Sequence, residues 1–185
     1  MPTSNWQNIA CSVGLIRAAN PASVLDVGVG FGLWGILCRK FLEASNGRYF
    51  PDQWKVRIDG IEVFRKYIMS YHSFFYTNLY IGDARHIVDA LSHSYDLTIL
   101  GDVLEHFEKA EARLFLEKCL KKSKRVLIHI PIGPDWPQGA VYGNAHERHL
   151  SFWSMEDFRT YEVVSKHRFW DEAKRVYAVL MLKGG

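Results

Sequence analysis

Cysteine is scarce in this chain: three in 185 residues, Cys11, Cys38 and Cys119, with no C-x-x-C pair. An odd number at such spacing excludes a disulfide framework and a cysteine zinc site, and a reducing, cytoplasmic setting is expected. No apolar run nears the ~20 residues that span a bilayer. Met1 to Asn20 lacks the basic flank, unbroken apolar stretch and small-residue cleavage site of a secretory signal. Charge of one sign is also lacking, since 23 Lys and Arg against 20 Asp and Glu leave only +3, well short of a dedicated nucleic-acid binder. Repeats, low-complexity tracts and linkers are missing too. What is present is 48% hydrophobic and 23% charged residues, an ordinary globular mixture, so one domain spanning 1–185 is expected.

Hydrophobic periodicity predicts the order of elements. A leading helix occupies 1–20, with Ser4 as N-cap, an apolar stripe of Trp6, Ile9, Ala10, Val13 and Ile16, and Asn20-Pro21 as its stop. From 22 to 130, strands alternate with helices. The strands are Ser23–Val27, Val56–Ile61, Leu79–Ile81, Tyr95–Leu100 and Arg125–Ile130; the helices are Phe31–Ala44, Val63–Ser73, Ala84–Leu91 and about Lys109–Lys122. Such alternation means a mostly parallel sheet with helices on both faces, and the near-continuous apolar strands fit burial on both sides. Residues 131–150 are broken by Gly133, Pro134, Pro137, Gly139 and Gly143 and read as a loop of the length usual for a lid. In 151–185 a short helix at Ser154–Thr160, with Ser154 as N-cap, precedes two strands, Glu162–Phe169 and Arg175–Leu182, about a turn near Asp171. The hairpin adds an antiparallel strand, for seven in all.

The sharpest motif is Val24-Leu-Asp-Val-Gly-Val-Gly-Phe-Gly32, a strand running through three alternating glycines into a helix. Glycine permits the tight turn and the close approach of a ligand, and free N–H groups at the helix start suit polar or anionic groups. A dinucleotide fingerprint would need a third glycine at position 33, where Leu33 stands, and no Gly-Lys-Ser/Thr follows for a phosphate-cradling loop.

The segment Asp26-Val-Gly28-Val-Gly30-Phe-Gly32 resembles the first motif of the class I S-adenosylmethionine-dependent methyltransferases. The resemblance continues through Glu62 at the end of the second strand, Gly82-Asp83-Ala84 after the third, and Gly101-Asp-Val-Leu-Glu-His106 after the fourth, similar to the D-V-L-E-H segment of small-molecule members. It implies a Rossmann-like fold with a seven-stranded, mostly parallel sheet. It further implies that S-adenosylmethionine is held by Asp26, Gly28, Gly30, Gly32, Glu62, Asp83, Ala84, Asp102 and Val103, with Glu62 on the ribose hydroxyls and Asp83 at the adenine amine. Transfer to a small-molecule acceptor follows, because Gly101-Asp-Val-Leu104 stands where the adenine and glutamine amine methylators carry Asn/Asp-Pro-Pro-Tyr/Phe. A noncatalytic methyltransferase-like binding protein, a nucleic-acid methyltransferase and a nicotinamide oxidoreductase are the alternatives.

His106 is the candidate general base, since imidazole titrates near neutrality. Asp102, Glu105 and His106 resemble the divalent-metal motif of the ubiquinone-biosynthesis type O-methyltransferases, but a structural or cofactor-proximal role is preferred for them and no metal site is assigned. His146-Glu-Arg-His149 lacks the four-residue histidine spacing of a zinc protease, so its histidines are expected as solvated lid residues. His129 and Trp34 are read as packed against the sheet, and the basic run 117–125 as a solvated helix end.

Overall fold

The computed structural model describes residues 5–185. Seven strands form one sheet: β1 (Ser23–Val27), β2 (Arg57–Glu62), β3 (Asn78–Ile81), β4 (Leu97–Gly101), β5 (Arg125–Ile132), β6 (Val163–Trp170) and β7 (Val176–Lys183). Their spatial order is β3-β2-β1-β4-β5-β7-β6, with β7 antiparallel to β5 and to β6 and the remaining pairs parallel. This is the expected architecture, including the C-terminal hairpin. The helices are α1 (Ile9–Ala19), α2 (Leu33–Cys38), α3 (His72–Phe75), α4 (Ala84–Ala90) and α5 (Lys109–Lys122).

Alternation along each strand divides the core in two. Leu25, Val27, Leu100, Ile128 and Leu180 pack with Val88 of α4 and Phe115 and Leu116 of α5. Val24, Ile58, Leu97, Ile99, Leu127 and Val179 pack with Ile16 of α1 and Trp34 and Cys38 of α2. Two buried faces explain why β4 and β5 read as near-continuous apolar runs, interrupted only by the buried Thr98 and His129 and by Arg125 and Pro131 toward the ends of β5. After β1 the chain builds outward to β2 and β3, then crosses back to β4 on the other side. The crevice at the carboxyl ends of β1 and β4 is therefore the topological switch point, where open α/β sheets take their ligands.

Four local expectations are corrected. The helix over Val63–Ser73 does not form; the segment is a 3-10 turn at Arg65–Tyr67, extended backbone at Ile68, and the single turn of α3. Bonds to the glycine loop override helical propensity there, for the His72 ring bonds the Gly30 carbonyl oxygen at 3.1 Å and the Tyr71 hydroxyl donates to that of Phe31 at 3.3 Å. The helix predicted from Phe31 starts at Leu33 and widens to a π-turn over Arg39–Glu43. In that turn Arg39 donates to the carbonyls of Val56 and Phe75, and the Glu43 carboxylate accepts from the Lys55 and Val56 amides. Ser154–Thr160 holds only a 3-10 turn at Met155–Phe158, although Ser154 caps it as expected, in reciprocal bonds with Asp157. Pro131 and Ile132 belong to β5 rather than to the loop.

In the leading segment, a 3-10 turn at Trp6–Asn8 followed by α1, Val13 and Ile16 are buried but Trp6 and Ala10 face solvent; Asn8 and Ser12 are buried instead, Ser12 Oγ lying 2.8 Å from His129 Nε2. The Ser4 cap lies outside the described residues. His129 and Trp34 are both core residues as expected, their rings stacked at 4.3 Å.

Candidate active site

The glycine loop is held by its neighbours. Gly28, Gly30 and Gly32 have φ of 75°, 51° and 86°, the left-handed region that glycine enters without a Cβ penalty. The Gly28 and Val29 amides donate to the Ile61 carbonyl, at 2.9 and 3.2 Å. The Gly30 peptide is gripped at both ends. Its N–H donates to Glu62 Oε2 at 2.9 Å, while its carbonyl accepts from His72 Nε2. The His72 tautomer follows from the Met69 amide, which donates to Nδ1 at 2.9 Å and leaves the proton on Nε2. No local pattern marks His72, and it was missed in the sequence; the contact spans 42 positions.

Glu62 is buried, and its other oxygen accepts from the Phe64 amide at 2.8 Å. Burial raises its carboxyl above the usual range, against the lowering effect of these amides. Asp26 does not line the cleft; it sits behind the loop, fully buried, accepting from the Tyr76 hydroxyl at 2.5 Å. Desolvation pushes its carboxyl up to about 7, opposed by the Tyr76 bond. Gly32 likewise lies off the cleft wall, at the start of α2.

The remaining sequence candidates meet on the wall of one cleft of about 750 Å³, within the range of small-molecule sites. Gly28 and Gly30, Glu62, Asp83 and Ala84, Asp102 and Val103, and His106 all line it. Asp83 caps α4, accepting from the Arg85 amide at 2.9 Å, and the Arg85 guanidinium holds its carboxyl below the ordinary value. Asp102 turns on a φ of 56° and accepts from the Tyr177 hydroxyl. Tyr177, in β7, was also missed, because only the hairpin brings it to the end of β4.

The far end of the cleft combines Asn5, Trp6 and Gln7 from the leading segment, Trp136 and Gln138 from the loop, and Arg175 beside the β6–β7 turn. Leading segment, loop and the Asp102–His106 turn therefore share a cavity. The loop is fastened there: the Leu150 and Ser151 amides donate to the Glu105 carbonyl, and Trp136 Nε1 to that of Val176.

Both histidines at this end have one ring nitrogen committed. His106 Nδ1 donates to the Arg148 carbonyl at 3.0 Å and His149 Nδ1 to that of Trp136 at 2.6 Å, so each Nε2 keeps a lone pair. Desolvation lowers both imidazoles below the ordinary value. Their rings are 5.0 Å apart, so His149 is a cleft residue rather than the solvated one expected. Glu105 is buried, and desolvation together with the nearby Asp102 raises its carboxyl well above the usual range. Glu105, His106 and His149 are the residues able to hold a metal ion among those described.

No protein-family model matches the sequence, and no curated protein does. Solved structures do. Magnesium protoporphyrin IX methyltransferase (ChlM) from Synechocystis PCC 6803 with bound SAH is 12% identical with a TM-score of 0.66, over 100% of this chain and 90% of that one. The O-methyltransferase TomG from Streptomyces achromogenes, involved in tomaymycin synthesis and in complex with SAM, is 16% identical with a TM-score of 0.64, over 99% and 82%. The methyltransferase domain of bacterial CtHen1-C is 16% identical with a TM-score of 0.62, over 97% and 98%. With the strand order above, these likenesses show that the chain has the Rossmann-like fold of the class I methyltransferases.

Proposed function

We propose that this chain binds S-adenosylmethionine at the carboxyl ends of β1, β2 and β4 and transfers its methyl group to a small-molecule acceptor in the adjoining part of the same cleft. The observation that carries this reading is the meeting of the glycine loop, Glu62, Asp83-Ala84 and Asp102-Val103 along one wall of a cavity whose other end has aromatic and imidazole walls. Two of the structural neighbours carry SAM or its product SAH, and TomG is an O-methyltransferase.

In this reading Glu62 accepts from the ribose hydroxyls with the lone pairs its backbone donors leave over, Asp83 accepts from the adenine amine, and Ala84 and Val103 pack the adenine. Gly28 and Gly30 let the backbone approach the ligand, Asp26 and Gly32 support the turn from behind, and Asp102 closes the cleft on the β4 side. The sulfonium already makes the methyl electrophilic, so the protein's task is alignment and removal of the acceptor's proton where the acceptor carries one. His106 presents the Nε2 lone pair for that proton, and the Arg148 carbonyl keeps the tautomer in place. Trp6, Trp136 and the rest of the 133–150 loop exclude water around the transfer.

Calorimetry with SAM, SAH and NAD⁺, followed by transfer of labelled methyl from SAM into fractionated small-molecule, RNA and protein pools, tests the proposal. Binding of SAM and SAH, with label entering the small-molecule pool, supports it. Binding of NAD⁺ alone, label confined to RNA, or binding without turnover in any pool refutes it.

A further inference from the structure

Charge is spread unevenly over this molecule. The chain as a whole carries an excess of +3, yet eight aspartates and glutamates line the cleft against two arginines and no lysine. Both guanidiniums are already matched there, Arg85 with Asp83 and Glu111, and Arg175 with Asp171. Glu62, Asp83 and Asp102 belong to the proposed cofactor wall. Glu105, Glu147 and Glu172 are left over, and among the described residues no lysine or arginine forms an ion pair with any of them.

Two observations around these carboxylates point to a cationic ligand. Glu105 is 1% exposed and its Oε2 has no hydrogen-bond partner, a costly state for a buried carboxylate oxygen unless a donor meets it. Trp6 and Trp136 stand on the same cleft wall, and indole faces attract cations. Trp136 shows this directly, with the Arg175 guanidinium 3.9 Å from its ring centre, while Trp6 is 67% exposed. Glu147, although on the loop, is only 8% exposed. It lies where the two ends of the cleft join, for its charge acts on Glu62 on one side and on Glu105, His106 and His149 on the other.

We propose that the methyl acceptor is an amine, taken up as its ammonium ion by the carboxylates of Glu105 and Glu147 and bounded by the indole of Trp6. An anionic acceptor, such as a carboxylate or a phosphate ester, finds no unmatched cation on this wall and meets repulsion from three carboxylates. A neutral hydroxyl satisfies Glu105 Oε2 with one hydrogen bond but leaves the charge of Glu147 uncompensated. An ammonium ion answers both. Its N–H on Oε2 also offsets the desolvation that, with Asp102 nearby, raises the Glu105 carboxyl.

The transfer balances with the groups present. The ammonium gives one proton to His106 Nε2, and the lone pair so freed attacks the methyl carbon. The N–C bond forms as the S–C bond breaks, with its electron pair staying on sulfur to leave SAH. The positive charge passes to the product nitrogen, and His106 releases its proton to water. The carboxylates that receive the ammonium therefore also face the charge that develops on nitrogen during transfer. The inference rests on the methyltransferase reading for this step and not for the uptake of the cation.

The test titrates the full chain, saturated with SAH, with three probes of one shape by calorimetry: phenethylammonium, phenethyl alcohol and hydrocinnamate. Expected is ammonium binding at least about tenfold tighter than that of the alcohol, with no uptake of the carboxylate. Glu147→Gln keeps the oxygen that accepts from Asn144 Nδ2 at 3.3 Å, and it should weaken ammonium binding about tenfold while leaving the alcohol and SAH within about twofold. In a second arm, labelled methyl is transferred from SAM into a small-molecule extract and unreacted SAM is removed by chromatography; the label is expected in products retained by a cation-exchange resin. The proposal is overturned by ammonium affinity no better than that of the alcohol, by failure of all three probes to bind, by wild-type ammonium affinity in Glu147→Gln, or by label in neutral or anionic products. SAM and SAH binding separates the two readings. If both bind and the label enters neutral products, only the amine assignment falls; if neither binds, the methyltransferase reading falls, and phenethylammonium titrated into the SAH-free chain still tests Glu105 and Glu147.

Discussion

Replacing Glu62 probes the cofactor assignment most directly, because its carboxylate joins the glycine loop to the cleft. In Glu62→Ala, two hydrogen bonds from the Gly30 and Phe64 amides, at 2.9 and 2.8 Å, are lost together with the acceptor proposed for the ribose. A bond to a charged group contributes about 1.5 to 3 kcal/mol, so the two sum to a gross loss of roughly 3 to 6 kcal/mol. Against this, the buried carboxylate pays a desolvation cost, seen in its raised titration, that alanine removes. The net loss is then about 2 kcal/mol, or a drop of roughly 4 to 8 °C in Tm for a chain of this length. Glu62→Gln separates stability from binding. It keeps the shape and one acceptor oxygen but sets an NH₂ against one backbone N–H, so Tm falls less while SAM affinity falls about tenfold to a hundredfold. Asp59, by its place on the same strand, looks like a neutral control, but it is buried and accepts from Tyr95, Arg57 and Asn78, so Asp89, on the exposed face of α4, is the proper one. Calorimetry with SAM and SAH, paired with thermal melts, reads both quantities. Wild-type affinity in Glu62→Gln, with a normal melt, would refute the ribose assignment.

Gly28→Val should abolish SAM binding and leave a folded chain, since a Cβ there meets Val103 Cγ2 at 3.0 Å on a backbone of φ 75°; a normal circular dichroism spectrum with retained binding contradicts it. Gly101→Ala should cost about 1 to 3 kcal/mol and shift tryptophan fluorescence, because the new Cβ would lie 2.5 Å from Nε1 of Trp34, which is stacked on His129; unchanged denaturant midpoint and emission count against that packing. Asp26 titrates at about 7 folded against an ordinary 3.8. Its folded value is raised, so the stability present at low pH is lost as pH rises from about 4 to about 7. Asp26→Asn escapes this loss, and its stability advantage over wild type should widen by about 2.5 kcal/mol between pH 5 and pH 8; a gap that does not change with pH shows that Asp26 titrates normally.

Local pattern alone determined most of the scaffold. Ser23–Val27 and Lys109–Lys122 form at the predicted residues because β-branched runs and a 3.6-residue stripe are properties of consecutive side chains, and the spacing of Gly28, Gly30 and Gly32 matches three positive φ angles. What failed was the helix over 63–73, where the stripe was outweighed by bonds from Tyr71 and His72 to a loop some forty residues earlier. The far end of the cleft was legible only in part: His106 and the loop were expected there, but the side chains they meet were not. Asp102 meets Tyr177 because β7 inserts antiparallel next to β5, His106 meets His149 because the loop after β5 folds back over the turn after β4, and Asp26 meets Tyr76 because β2 and β3 stack outward from β1. Periodicity reports which face of an element is apolar, and that is enough to place a glycine turn at a strand end. Which distant side chains then share that end depends on strand order, and strand order is set by how two-faced layers bury their apolar surfaces together, a property of the whole chain rather than of any window within it.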